Sequence, residues 1–266
     1  MLRKIISFAL LLSVFLLMGC TPNSGATPKV QKELVVGMSI NYAPIAFKNA
    51  DKATGLEADF AQALSEELHR KLRIKVLPWE QLAIALKTDT VDIVMAGVSI
   101  TQKRSEYTLF SDPYMSISQM AVMRVGDSAP SIESHGRNKR IGYIYSTTGE
   151  AFVKDNFYNA EHKGFTTVKQ GIVAVLDKKI DYFFHDAPSI WYYTVELSLD
   201  GIMGWYVPYT EERLAWAFAP KNVALRDKVN TILERWRKDG TLNRMIQKWI
   251  RVKVVTPNGQ KSISFE

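Results

Sequence analysis

Short apolar runs alternate with segments of helical spacing along most of the chain. The runs are rich in β-branched and aromatic residues, and they predict strands at 34–37, 73–77, 91–96, 119–125, 140–145, 165–168, 181–184 and 214–219. Between them, apolar residues recur at helical spacing in two clear series, which are Leu56, Phe60, Ala63, Leu64 and Leu68, and Leu225, Val229, Ile232, Leu233 and Trp236. Because strands that alternate with helices form parallel sheets covered on both faces, the pattern predicts the α/β fold class.

The alternating strands and helices form two separate series along the chain. One series runs from 34 to 96, and a similar one runs from 140 to 184. We therefore predict two α/β lobes, with segments near 119–125 and 205–209 crossing between them. The cleft between two such lobes is the expected ligand site, because strand carboxyl ends and helix N-termini of both lobes face it.

The N-terminus has the layout of an export signal. Arg3 and Lys4 precede an almost wholly apolar run at 5–18, which is too short to span a bilayer comfortably. The run ends in LMGC at 17–20, which resembles the box of a bacterial lipoprotein signal. That resemblance implies cleavage before Cys20, attachment of lipid to Cys20, and a flexible tether in the TPNSGATPK stretch that follows.

Composition excludes several classes of function. Cys20 is the only cysteine of the 266 residues, so a lipidated chain has no thiol left for disulfides, catalysis or metal binding. The net charge of +7 is spread along the chain, which argues against nucleic-acid binding. We expect no metal or other cofactor, because phosphate-binding glycine loops are absent and the histidines, His69, His135, His162 and His185, lack metal-ligand spacing. The adjacent acidic pairs at 66–67 and 211–212 are expected to face solvent.

The stretch AGVSITQKRSEYTLFSDPY at 96–114 admits two interpretations. In one, Thr101 caps a short helix and Arg104 is solvated on its first turn. In the other, the end of the strand and the start of the helix form an anion site, in which backbone N–H groups, hydroxyls and one Arg receive a carboxylate. The stretch alone leaves both open.

The order of motifs along the chain resembles that of the type 3 periplasmic solute-binding proteins, which feed polar amino-acid ABC importers. The resemblance extends from 34 to 249. Its motifs are YAP at 42–44, GLEADF at 55–60, SITQKR at 99–104, FSDPY at 110–114, STTGE at 146–150, KID at 179–181 and KDGTL at 238–242. It implies the two-lobed, type II periplasmic-binding-protein fold, a monomer and an ABC permease as partner, while the lipoprotein signal implies a membrane anchor through the lipid.

The same resemblance implies a site for a free amino acid. Arg104 would hold the α-carboxylate with both guanidinium prongs, assisted by the Ser99 hydroxyl and backbone groups around Gly97, because a planar fork suits a carboxylate. The remaining implied residues are Asp186 for the α-ammonium, Thr147 and Thr148 for the carboxylate, and Tyr42 and Trp79 as walls of the side-chain pocket.

Each of these residues also has an ordinary structural interpretation. Asp186 could cap a helix that begins at Ala187 and Pro188, and Tyr42 and Trp79 could be core aromatics. The chain departs from the family pattern at Ile45 and Phe47, where an aromatic usually follows the first motif, and at His185 and Pro188, which crowd Asp186.

We expect a signal at 1–19, the lipidated Cys and tether at 20–31, lobe 1 at 32–122 and 208–252, lobe 2 at 123–207 and a C-terminal tail at 253–266. The expected cargo is a neutral amino acid, because residues 38–41 after the first strand carry no acid to meet a cationic side chain. The alternatives are an enzyme similar to the periplasmic cyclohexadienyl and prephenate dehydratases, and a ligand sensor that delivers nothing.

Overall fold

The computed structural model describes residues 33–205, 207–251, 253–256 and 259–262, the last two ranges as backbone. The predicted signal, Cys20 and the tether lie outside the described residues. The strands are β1 (Glu33–Met38), β2 (Asn41–Tyr42), β3 (Ala46–Asn49), β4 (Lys52–Thr54), β5 (Lys71–Val76), β6 (Ile93–Ser99), β7 (Leu109–Phe110), β8 (Met115–Ile117), β9 (Gln119–Arg124), β10 (Arg140–Ile144), β11 (Glu161–Phe165), β12 (Tyr182–Asp186), β13 (Ile202–Trp205), β14 (Glu212–Phe218), β15 (Lys253–Thr256) and β16 (Gly259–Ser262).

The helices cover the strands in the alternation that the sequence predicts. They are α1 (Leu56–Glu67), α2 (Leu82–Lys87), α3 (Gln102–Ser105), α4 (Thr148–Asn156), α5 (Val168–Leu176), α6 (Ala187–Trp191), α7 (Val223–Lys238) and α8 (Thr241–Trp249). A 3₁₀ turn at Trp79–Gln81 leads into α2, and a π-helical turn at Tyr192–Glu196 continues α6. Within the described residues, no helix is long and apolar enough to cross a membrane.

The first lobe is built on a sheet of order β5-β1-β6-β14-β7, to which β8 adds by pairing with β14. Strand β1 is parallel to β5 and β6, and β14 is antiparallel to β6. All seven residues of β6 are buried, as expected for a continuous apolar run at the centre of a covered sheet. The polar residues that follow β6 therefore emerge at the carboxyl edge of a buried strand.

The second lobe repeats the plan with a sheet of order β11-β10-β12-β9-β13. Strand β10 is parallel to β11 and β12, whereas β9 and β13 run antiparallel to their neighbours. The type II two-lobed fold is thus confirmed, although each sheet is mixed rather than wholly parallel. The reason is that a strand that follows a crossing between the lobes runs opposite to the strand beside it. This strand is β9 in the second sheet and β14 in the first.

Several of the expected boundaries shift in the structure, and two of the differences matter most. All of β9 pairs within the second sheet, so the first crossing lies at about residue 118 rather than after 122. The strand expected at 165–168 is wrong, because β11 covers Glu161–Phe165 and Val168 begins α5. A capping box between Thr167 and Gln170 starts that helix. The expected C-terminal tail contains the backbone hairpin of β15 and β16.

The core of the first lobe packs α1, α7 and α8 against the sheet. Phe60 of α1 contacts the rings of Tyr114, Trp216 and Trp236 with centroid distances of 5.3, 5.4 and 6.4 Å. Trp216 is completely buried, and its indole N–H has a polar partner in α1. Helix α1 is therefore held by both apolar and polar contacts at the base of the cleft.

Candidate functional site

A partly open cavity lies where the two sheets face each other. Ser39, Asn41 and His185 contribute to its lining. It also includes all eight residues expected from the sequence, namely Tyr42, Trp79, Gly97, Ser99, Arg104, Thr147, Thr148 and Asp186. The structure thus brings together residues that lie far apart in the chain, and their contact with a ligand stays a prediction.

Arg104 lies on the short helix α3, and both interpretations of its stretch hold in part. The Thr101 side chain caps the helix by accepting from the Arg104 backbone N–H at 3.2 Å. The guanidinium is not simply solvated, because it donates to the Ser99 carbonyl at 2.9 Å and lies 5.3 Å from the centroid of the Trp79 ring. Burial lowers the pKa of Arg104, but a guanidinium still keeps its charge at neutral pH. A fixed cation therefore lines the cavity from lobe 1.

Asp186 ends β12 and lines the cavity from lobe 2. Helix α6 does begin directly after it, yet the Asp186 side chain makes no capping hydrogen bond. Its carboxylate instead accepts from the Tyr42 hydroxyl and from Gln119 Nε2, each at 2.5 Å. Burial, and then the nearby Glu212 carboxylate, raise the pKa of Asp186 to about 7.

The threonines at the start of α4 differ in what their hydroxyls contact. Thr147 is the N-cap, and its hydroxyl accepts from the Glu150 N–H at 3.3 Å and donates to the Ile144 carbonyl at 2.7 Å. The Thr148 hydroxyl accepts from Gln119 Nε2 at 3.3 Å. Because the Thr147 hydroxyl already bonds to its own helix and to the end of β10, Thr148 is the better placed of the two for a ligand.

Gly97 and Tyr42 contact each other closely on the lobe 1 side. Gly97 has a φ of +67°, and a Cβ built there would lie 2.6 Å from Tyr42 Cε1. Its N–H donates to Glu57 Oε1 at 2.8 Å, so this backbone group is already engaged. The ring of Tyr42 meets that of His185 edge-on with centroids 5.0 Å apart. Glycine is thus required at 97 for two reasons. Its positive φ favours glycine, and any side chain there would clash with the Tyr42 ring.

Hydrogen bonds between groups of the two lobes join the lobes around the cavity. Besides the bond from Tyr42 to Asp186, Trp79 Nε1 donates to the Ser146 carbonyl at 3.0 Å. The Ser189 hydroxyl donates to the Ala43 carbonyl at 2.6 Å. The site is therefore enclosed by groups from both lobes.

The model of the bacterial extracellular solute-binding proteins, family 3, matches residues 34–252. The chain belongs to this family. The solute-binding protein is 27% identical over 241 residues to the arginine-binding extracellular protein ArtP of Bacillus subtilis (strain 168), a match that covers 88% of this chain and 92% of that one.

Two solved structures of similar shape are ancestral binding proteins. One is an ancestral arginine-binding protein bound to arginine, with a TM-score of 0.78 and 27% identity, covering 83% of this chain and 99% of that one. The other is the ancestral amino acid-binding protein AncCDT-1, a precursor of cyclohexadienyl dehydratase, with a TM-score of 0.76, 29% identity and coverage of 82% and 95%. These relatives are named as binding proteins, in keeping with the solute-binding family to which the chain belongs.

Sequence reasoning missed two polar residues that contact the site of this solute-binding protein. Gln119 is completely buried, and its Nε2 donates to Glu212 Oε1 at 3.0 Å as well as to Asp186. The pair at 211–212 was expected to face solvent, which is wrong for Glu212. Adjacent residues in an extended segment point to opposite sides, so Glu211 is exposed while Glu212 turns inward. Alternation at the start of β14 was the signal that could have found it.

Glu212 changes what the Ser99 hydroxyl can do. Ser99 Oγ donates to Glu212 Oε2 at 2.6 Å, and the Thr210 hydroxyl donates to Oε1 at 2.9 Å. The Ser99 hydroxyl would have to rotate away from Glu212 to donate to a ligand carboxylate, as the family resemblance implies. Among the described residues, no group of three or more His, Cys, Asp or Glu side chains could hold a metal ion.

Proposed function

We propose that this protein binds a free amino acid in the cleft between its lobes and presents it to the permease of an ABC importer. The observation that carries the proposal is that Arg104 and Asp186, of opposite charge, line the same cavity from different lobes. An α-carboxylate on Arg104 and an α-ammonium on Asp186 would pair both charges of a zwitterion. The arginine-binding relative and the ancestral amino acid-binding structure support this assignment.

The proposed cargo is a neutral amino acid. Met38, Ser39 and Asn41 follow or end the first strand without an acidic side chain, and burial lowers the pKa of His185 to about 4, which leaves it uncharged at neutral pH. Asp186 is the one acid among the residues that line the cavity, and the ligand α-ammonium would occupy it. A buried guanidinium or ammonium on the ligand side chain would therefore find no second acid on the cavity wall, which is strongly unfavourable.

A thermal-shift screen of the twenty amino acids, followed by competition calorimetry, tests the proposal. A ligand present at 100 times its Kd should stabilise the protein by about 2.7 kcal/mol. We expect neutral amino acids to give larger shifts than arginine or lysine. Tight binding of arginine or lysine with weak binding of all neutral amino acids would overturn the neutral cargo, and no shift with any amino acid would overturn the function.

The lipid anchor is proposed from the LMGC box at 17–20. The wild-type protein should fractionate with membranes and show the mass of attached lipid, because acylated Cys20 holds the chain to a bilayer. Cys20→Ser should be soluble and carry no lipid, whereas Ser24→Ala in the same stretch should behave as wild type. Thr21 rather than Asp follows Cys20, which favours the outer membrane in a cell with two membranes. A wild-type protein recovered without lipid in the soluble fraction contradicts the proposal.

A further inference from the structure

The side-chain amide of Gln119 lies between two carboxylates that belong to different lobes. Its Nε2 atom is 2.5 Å from Asp186 Oδ1 on β12 and 3.0 Å from Glu212 Oε1 on β14. Gln119 itself begins β9, directly after the first crossing between the lobes. Its Oε1 is buried and has no hydrogen-bond partner among the described residues. The two acids are therefore close neighbours that share one uncharged donor.

The surroundings of the pair do not supply a full compensating charge. Glu212 accepts from the uncharged hydroxyls of Ser99 and Thr210, and Asp186 accepts from the uncharged hydroxyl of Tyr42. The charged and titratable groups that face Asp186 are Arg104 from α3, Glu212 from β14, Tyr42 from β2, Tyr114 from the segment before β8, and His185 from its own strand. Arg104 is the cation among them, and in the proposed function the ligand carboxylate occupies it.

We propose that Glu212 makes the ammonium subsite require one positive charge, which a proton on Asp186 supplies before binding and the ligand ammonium supplies afterwards. The inference rests on the proposed function and deepens it. On binding, the O–H bond of the Asp186 carboxyl breaks, the proton passes to solvent, and the ammonium donates to the carboxylate that remains. Glu212 does not touch the ligand in this scheme, so it is a residue that sets the charge state of Asp186.

The direction of the pH dependence follows from this exchange. Asp186 has a pKa raised to about 7, by burial first and by Glu212 second. Above that pH the carboxylate is already ionised, and binding releases no proton. Below it, the ammonium must displace a proton, so the apparent Kd should rise about tenfold for each pH unit. Between pH 8 and pH 5.5 the wild type should lose affinity by about 30-fold.

Calorimetry on the wild-type protein measures the exchange directly. The probe is L-glutamine, or the amino acid that gives the largest thermal shift if that is a different one. Titrations at pH 6 in two buffers of different ionisation enthalpy give the number of protons released, which we expect to be about 0.9. At pH 8 the number should fall to about 0.1. Binding with no proton release at pH 6, or with proton uptake, overturns the inference.

Two matched variants test the part played by Glu212. Glu212→Gln should lower the pKa of Asp186, so its affinity loss between pH 8 and pH 5.5 should shrink to less than about 10-fold. Glu211→Gln removes the same charge one residue away on an exposed side chain, and it should keep the wild-type pH profile. Glu212→Asp retains the charge and should restore most of the wild-type slope. A Glu212→Gln profile identical to wild type overturns the assignment to Glu212.

The outcomes separate this inference from the function on which it rests. If no amino acid binds the wild type at pH 8, the proposed function fails and the inference fails with it. If an amino acid binds without proton release, the function stands and the inference alone fails. Should Glu212→Gln fold poorly, the proton count of the wild type decides, because it needs no variant.

Discussion

Replacing Arg104 with alanine should abolish amino-acid binding while the protein stays folded. The guanidinium is the cation that lines the cavity from lobe 1, and it rests against the Trp79 ring on a helix of only four residues. Removing one partner of a buried, hydrogen-bonded charge pair typically costs about 2 to 5 kcal/mol, so affinity should fall by about 30-fold or more. Calorimetry at pH 8 with the amino acid chosen by thermal shift measures the loss.

Two further variants control this result. Lys103→Ala removes a positive charge from the exposed neighbour on the same helix, and it should leave affinity unchanged. Arg104→Lys should also bind poorly, because a single ammonium cannot reproduce the two-pronged contact with a carboxylate. An affinity equal to wild type in Arg104→Ala would show that the carboxylate is held elsewhere.

Replacing Glu57 with alanine should lower the free energy of unfolding by about 3 to 5 kcal/mol. The Glu57 carboxylate is completely buried and accepts from the Gly97 N–H, the Tyr114 hydroxyl and the Trp216 indole N–H, each at 2.8 Å. Burial outweighs these donated hydrogen bonds and raises the pKa of Glu57 to about 7. Alanine would leave three buried donors without an acceptor and a cavity beside Phe60 and its aromatic neighbours. Denaturant unfolding measures the change.

The control for the Glu57→Ala variant is a substitution of another glutamate on the same helix. Glu66 is exposed on α1 and accepts a hydrogen bond from Gln62, so Glu66→Ala should cost well under about 1 kcal/mol. Glu57→Gln should fall between the two, because its amide oxygen can still accept from some of the donors. If Glu57→Ala were as stable as Glu66→Ala, the three buried hydrogen bonds would not contribute net stability.

The sequence predicts those site residues whose role is indicated by the residues next to them in the chain. Arg104 follows a buried strand and Asp186 ends one. The carboxyl ends of such strands face the cleft in α/β lobes, so the sequence places both residues there. Gln119 lacks such a local mark, and Glu212 has only the alternation at the start of β14. Their burial arises only when the two crossing segments come together, across 93 residues of chain.

The same reasoning explains where the strands were placed wrongly. Strand β11 lies at the edge of its sheet and contains Glu161, His162 and Lys163, so its side chains carry little apolar pattern. Its pairing to β10 comes from the backbone, which the sequence does not display. Conversely, Val168 was placed in a strand because it is β-branched, although the capping box of Thr167 and Gln170 was a local sign that a helix begins there.

The hydrogen bonds between the lobes bear on how long a solute stays bound. The bonds from Tyr42 to Asp186, from Trp79 to the Ser146 carbonyl and from Ser189 to the Ala43 carbonyl join protein groups on the two sides of the cavity. We expect these bonds to break when the cleft opens to release a solute. Opening would then be a step common to every cargo, so no cargo should dissociate faster than the lobes open.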